Sequence, residues 1–253
     1  MKTLSLTYFT VLIFTVFIGP GTAAEMTRFS GLVNYVESSG SVLVNGVPVA
    51  EFSAGEGGSG GYAFGLTDWL VNGTNEIVLT VEPESDDAKA TLEMGSAASS
   101  DAMLTLEQVG KGTATGTLEA DGLPDWSWTG ATQQDEAAAG LVDSVAGFHA
   151  AFRDGDLDRI VAISGPFLAD QKHLGGLDES ILREQLGPLF KEARLLDLPD
   201  LTIARYQGGK LFRVTGPEGN PPVNLEFESD GTKGAVRAGE WWCVIDGEWR
   251  VVR

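Results

Sequence analysis

The sequence predicts two domains, an all-β sandwich followed by an α+β domain with a curved antiparallel sheet. From residue 31 to 120, short alternating segments rich in Gly, Thr, Ser and Val repeat between turn residues. That is the pattern of antiparallel strands buried on one face and wet on the other. After residue 140 apolar residues recur at helical spacing, and after Pro199 the pattern becomes strand-like to the end. Helices first and strands afterwards read as α+β.

The first 24 residues, MKTLSLTYFTVLIFTVFIGPGTAA, place Lys2 before an uncharged apolar run and close on small residues. This order predicts a cleaved signal peptide. A membrane anchor would need roughly 20 apolar residues, and this run is shorter. Cleavage after Ala24, or after Ala23, leaves no cysteine near the new terminus for lipid attachment. The lone Cys243 excludes an internal disulfide framework, so export without disulfides points to a bacterial periplasm or to secretion, with no membrane insertion once the signal is removed.

Charge excludes one class of partner. The chain carries -19 formally, and residues 25–136 hold 18 acidic against 3 basic residues. Phosphate backbones require Lys and Arg to displace their counterions, so nucleic acid is not an expected partner. Solubility is the plainest use of the acidity.

The expected divisions are a sandwich over 25–125, a linker over 126–138 and the α+β domain over 139–253. In the first, NEIVLTVE at 75–82 sends Ile77, Leu79 and Val81 to one face. In SVLVNGVPV at 41–49, Asn45-Gly46 joins two Val-rich runs, a hairpin signal because both turn residues tolerate positive φ. Pro48 lacks a donor and belongs on an edge strand. Asn72-Gly-Thr reads as turn chemistry, and GEGGSGG at 55–61, lacking the Lys-Ser/Thr ending of a phosphate loop, reads as a flexible loop.

In the second domain Leu141, Val145, Phe148 and Phe152 share a helix face, with Gly155 ending that helix and Asp156 capping the next. Asp154, Asp156 and Asp158 imitate a calcium loop, but Arg159 and Gly165 stand where the turn glycine and bidentate carboxylate belong. A third helix is expected over 178–194. The closing EWWCVIDGEWRVVR predicts a hairpin about Asp246-Gly247 that pairs Ile245 with Glu248, Val244 with Trp249, Cys243 with Arg250 and Trp242 with Val251. Trp242, Val244, Trp249 and Val251 then form the core face. Trp241 and Cys243 lie on a mixed face suited to a domain or subunit contact.

Two resemblances follow from these stretches. VNGVPV followed by DWLVNGTNEIVLTVEP resembles the galactose-binding-like, jelly-roll-like sandwiches over about 50 residues. That resemblance implies that Leu70, Gly73, Asn75 and Ile77 close a turn and enter a core strand. FHAAFRDGDLDRIVAI, ESILREQLGPLF and WWCVIDGEWRVV together resemble the nuclear transport factor 2-like superfamily, the cystatin-like α+β cones, over about 110 residues. Phe152, Gly155, Asp156, Leu157 and Ile160 carry the helix junction, and Asp246 to Trp249 the final turn. Neither motif is catalytic.

The search for chemistry yields no catalytic, metal or cofactor assignment. His149 and His173 lack a carboxylate pair at ligand spacing, and Cys243 reads as a structural thiol. Candidate binding residues are Trp126 and Trp128, alternate residues expected on one side of an extended segment, together with Trp241 and His149. Asp170, Tyr206 and Glu226 qualify as acids or bases by type alone. The expected function is non-catalytic binding of a small molecule or an envelope protein. The alternatives are an isomerase- or lyase-type pocket enzyme in the cone, and a structural homodimer.

Overall fold

The computed structural model describes residues 27–54, 58–97, 99, 101–135, 138–229 and 232–253. The signal-peptide reading therefore lies outside the described residues, as do residues 55–57 of the glycine-rich run. The described chain is mostly strand, in four antiparallel sheets, with three helices in its later part. No described helix is long and apolar enough to cross a membrane. The described residues divide into two compact units, one ending at Trp126 and the other beginning at Ser127.

The first unit contains β1 (Phe29–Val36), β2 (Ser38–Val44), β3 (Val47–Ser53), β4 (Ser59–Gly65), β5 (Gly73–Pro83), β6 (Lys89–Ser96), β7 (Leu104–Val109) and β8 (Gly112–Ala120). These form sheets of order β4-β1-β6-β7 and β3-β2-β5-β8. The chain passes from one sheet to the other at Glu37, whose φ of 42° breaks the extended run. Alternation holds as expected. Ile77, Leu79 and Val81 are wholly buried while Glu76 and Glu82 are exposed. Asn45 and Gly46 have φ of 51° and 78°, the positive pair that a two-residue hairpin needs. Pro48 lies on β3, which stands at the end of its sheet beside β2.

The glycine-rich run departs from expectation. Ser59 to Gly65 form β4, paired in register with β1, so this part is strand rather than loop. The glycines make room for rings. A Cβ at Gly31 would meet the Phe64 ring at 2.6 Å, and one at Gly60 would meet the Tyr35 hydroxyl at 2.7 Å. Aromatic rings laid over cross-strand glycines restore the packing that a bare backbone lacks.

Asn75 organises the turn before β5. It is fully buried; its Oδ1 accepts from Val71 N and Asn45 Nδ2, both at 2.9 Å, while its Nδ2 donates to Val71 O at 2.9 Å and Gly73 O at 3.0 Å. Gly73 has φ of 93° and so supplies the left-handed step. Neighbouring Asn72 exchanges two bonds with Leu123, at 2.8 and 2.9 Å, a long-range tie rather than the local turn contact expected of it.

The second unit opens with a 3-10 turn over Ser127–Gly130 and an isolated bridge from Thr132 to Val244. Then come α1 (Leu141–Asp154), α2 (Leu157–His173), α3 (Glu179–Leu189), β9 (Arg194–Leu195), β10 (Thr202–Tyr206), β11 (Leu211–Thr215), β12 (Val223–Ser229), β13 (Thr232–Ala238), β14 (Trp241–Ile245) and β15 (Glu248–Val251). The sheets are β10-β11-β14-β15 and β13-β12-β9.

Gly155 ends α1 with φ of 65°, and Asp156 Oδ1 accepts from Arg159 N at 3.1 Å. The aspartates at this junction therefore cap a helix. α3 stops at Leu189, short of the expected Arg194: Lys191 N and Glu192 N turn to carbonyls three residues back, Pro188 O and Leu189 O, and Arg194–Leu195 leave to pair with β12. α2 contains Pro166, which cannot donate to Ala162 O four residues earlier. Arg250 Nη1 donates to that carbonyl instead, at 2.7 Å, and so ties β15 to α2.

The closing hairpin has the expected register throughout. Trp242 is fully buried, edge-on to Phe148 at 5.6 Å, with Nε1 donating to Gly239 O. It shares one core with Leu141, Val145, Phe152, Phe212 and Val251. The opposite face is buried as well, with Trp241 at 5% exposure and Cys243 at 0%.

Replacing Asn75 with Ala leaves Val71 N, Val71 O and Gly73 O to find new partners in a buried turn. Each stranded group costs about 1–3 kcal/mol, and the variant should lose about 3 kcal/mol in urea unfolding with an unchanged m-value.

Candidate functional site

Hydrophobic burial in the second unit is incomplete. A cavity of about 210 Å³ lies inside it, between α1, α2, α3, β13 and β15. Phe148 and Phe152 come from α1, Ile160, Ser164 and Phe167 from α2, Leu182, Gln185, Leu186 and Leu189 from α3, and Val236, Val251 and Arg253 from the strand side. Helical spacing explains the α2 contribution: Ile160, Ser164 and Phe167 fall on one face at steps of four and three. The volume is below the roughly 300–1,000 Å³ of drug-sized sites.

The polar complement of the walls is small. Ser164 is 6% exposed and borders the cavity, and Gln185 borders it from an exposed position on α3. Arg253 brings a guanidinium. Arg237 also borders the cavity, but its register partner is Asn224. Val236 and Ala238, opposite Leu225 and Val223, face the core, so alternation directs the Arg237 side chain to the other side of the sheet. Among the described wall residues there is no Asp, Glu or His.

A buried carboxyl sits close by. Asp170, on α2, is 1% exposed and accepts from Ser127 N at 3.0 Å and Ser127 Oγ at 2.8 Å. Burial pushes this carboxyl above the ordinary carboxylate range, while the Ser127 bonds and the charges of Arg253 and His173 pull it down. Cys243 lies in the same region. Burial first, and the Asp170 charge second, push its thiol up to about 12, far from the range of a nucleophilic thiolate.

The residues singled out from sequence are dispersed. Trp126 is 1% exposed, and its Nε1 donates to Leu70 O at 2.8 Å within the first unit. Trp128, 5% exposed, belongs to the second unit, where its 3-10 turn packs on α2 and β14. The expectation that both rings face one side assumed extended backbone. The turn starting at Ser127 removes that alternation. Trp241 is covered in place: Tyr206 approaches at 5.4 Å, and Arg213, paired with Glu240 at 2.7 Å, lies 5.8 Å over the ring. His149 is half-buried with Nε2 2.8 Å from Leu196 O, and it does not border the cavity.

His173 and Glu226 are exposed. Among the described residues no group of three or more His, Cys, Asp or Glu side chains comes together to hold a metal ion. The cavity residues Ser164 and Arg253 escaped sequence reasoning. Their one visible mark was a serine four residues after Ile160 on an apolar helix face.

Two outcomes follow from this geometry. Because the folded-state pKa of Asp170 is raised, its favourable contribution is complete below the unfolded carboxyl value, about 3.9, and declines as pH rises toward the folded value. The stability of the wild type relative to Asp170→Asn should therefore fall with pH above about 4, measured by urea unfolding across pH. Cys243 should resist thiol reagents in the native protein and react at the rate of unfolding when urea is added.

No family model, no curated protein and no solved structure matches the chain.

Proposed function

We propose that the chain is an exported, non-catalytic binding protein whose second unit holds a small apolar molecule in the cavity beneath the closing hairpin. In this reading the first unit is a jelly-roll-like β-sandwich and the second an α+β cone of the nuclear transport factor 2-like kind. Two four-stranded sheets with alternating burial support the first assignment. Helices packed on the apolar face of the final hairpin support the second.

The observation that carries the binding function is the cavity itself: about 210 Å³, walled by aliphatic and aromatic side chains with few polar groups. Such a site retains a ligand by removing apolar surface from water, at roughly 25 cal/mol per Å². An isomerase or lyase would need an acid or base facing the reacting atoms, and the described walls offer arginine as their titratable type. A small molecule is favoured over an envelope protein because the concavity is enclosed and small. The homodimer reading relied on an available Trp241, and that ring is already buried within the chain.

A ligand present at ten times its Kd should stabilise the protein by about 1.4 kcal/mol and raise Tm by several degrees. Thermal unfolding against a panel of short apolar molecules tests this. Leu182→Trp, which fills the cavity from its half-buried rim, should abolish the shift. A panel without any stabiliser would sink the proposal.

A further inference from the structure

The cavity walls restrict the chemistry of the occupant. Ser164 is the one serine on the wall among the described residues, set at 6% exposure among Ile160, Phe167 and the α3 leucines, whereas the wall's amide, Gln185, sits at the exposed side. Arg253 adds N–H donors from the strand side. The charge of that guanidinium does not stand alone, since the Asp170 carboxylate is near enough to interact with it. A guanidinium has several donors in a planar fork, so it can serve a partner within the fold and still donate to a ligand.

Net charge argues in the same direction. An anion entering this cavity leaves water for a chain of net charge -19, toward an arginine that a buried carboxylate already offsets. A cation would meet that arginine with no described carboxylate on the wall to pair with. Burying either ion without a dedicated partner is costly. A neutral acceptor meets no such obstacle.

The geometry points to an uncharged, short and largely apolar ligand carrying one hydrogen-bond acceptor, a ketone or ester carbonyl for example, received by the Ser164 hydroxyl and the Arg253 guanidinium. This inference rests on the cavity being a binding site, as proposed above, and it adds the ligand class and the residues that read it.

A matched set with one carbon skeleton separates the two levels: hexane, hexan-2-one, hexanoate and hexylammonium, titrated into the full chain at neutral pH and followed by NMR. The ketone should bind about fivefold tighter than hexane, the worth of one net hydrogen bond, and at least about tenfold tighter than either ion. Ser164→Ala, a helix-compatible change that removes only the hydroxyl, should narrow the ketone's advantage over hexane by the share of one donor, Arg253 keeping the remainder, and should leave hexane affinity unchanged.

Failure of every compound to bind would end the binding-site reading together with this inference. Equal affinity for hexane and hexan-2-one would leave a purely apolar site and overturn the inference alone. Tightest binding of hexanoate or hexylammonium would overturn it in favour of a charged ligand. A ketone preference undiminished in Ser164→Ala would assign the hydroxyl to its own helix, bonded back to Ile160 O, and would likewise overturn the stated recognition.

Discussion

The register of the closing hairpin decides which side of β14 and β15 faces the helices. Asp246 and Gly247, with φ of 53° and 80°, form a two-residue turn that places Trp242 opposite Val251 and Val244 opposite Trp249. A slip of one residue would send Trp242 outward and bring Cys243 and Arg250 under α1. The inner side depends on this pairing: the edge contact of Phe148 with Trp242, the core that Trp242 and Val251 share with Ile160, and the rim that Val251 gives to the cavity.

The other side of that hairpin is closed by a different device. Residues 127–134 return along β14, where β11 has diverged after pairing with Trp241 and Trp242. Polar ties hold the segment down. Thr132 N donates to Val244 O at 2.9 Å, Gln134 N to Gly209 O at 2.8 Å, Lys210 Nζ to Thr129 O at 3.2 Å and Ser127 Oγ to Asp170 at 2.8 Å. These bonds give the irregular backbone the partners that a strand would otherwise supply. Trp128, Trp241 and Cys243 thereby become interior residues.

The proline in α2 shows how a local defect is used. Its missing N–H leaves Ala162 O without a helical partner, and the long Arg250 side chain reaches across from β15 to fill the position. On the same helix, Ile160, Ser164 and Phe167 look into the cavity while Asp170 anchors Ser127. One amphipathic helix therefore borders the cavity and also secures the segment that covers the sheet.

Much of this was legible in the order of residues. Turn pairs that demand positive φ, at Asn45-Gly46 and Asp246-Gly247, set the pairing next to each turn, because few residues occupy that conformation; β14 and β15 keep that register, whereas a bulge between Val42 and Leu43 shifts it in β2 and β3. Period-two alternation identified the buried face of β5, and Gly155-Asp156 marked the junction between α1 and α2, since capping is local chemistry. Long-range packing was not legible. Nothing adjacent to Trp241 reveals that Tyr206, Arg213 and Glu240 will enclose it, and nothing near Gly60 shows that the Tyr35 ring will turn a glycine-rich run into a strand. The cavity belongs to the same class, a volume left between five elements drawn from over a hundred residues of chain. Local conformational preference is written residue by residue, whereas the space between packed elements exists only once they have met.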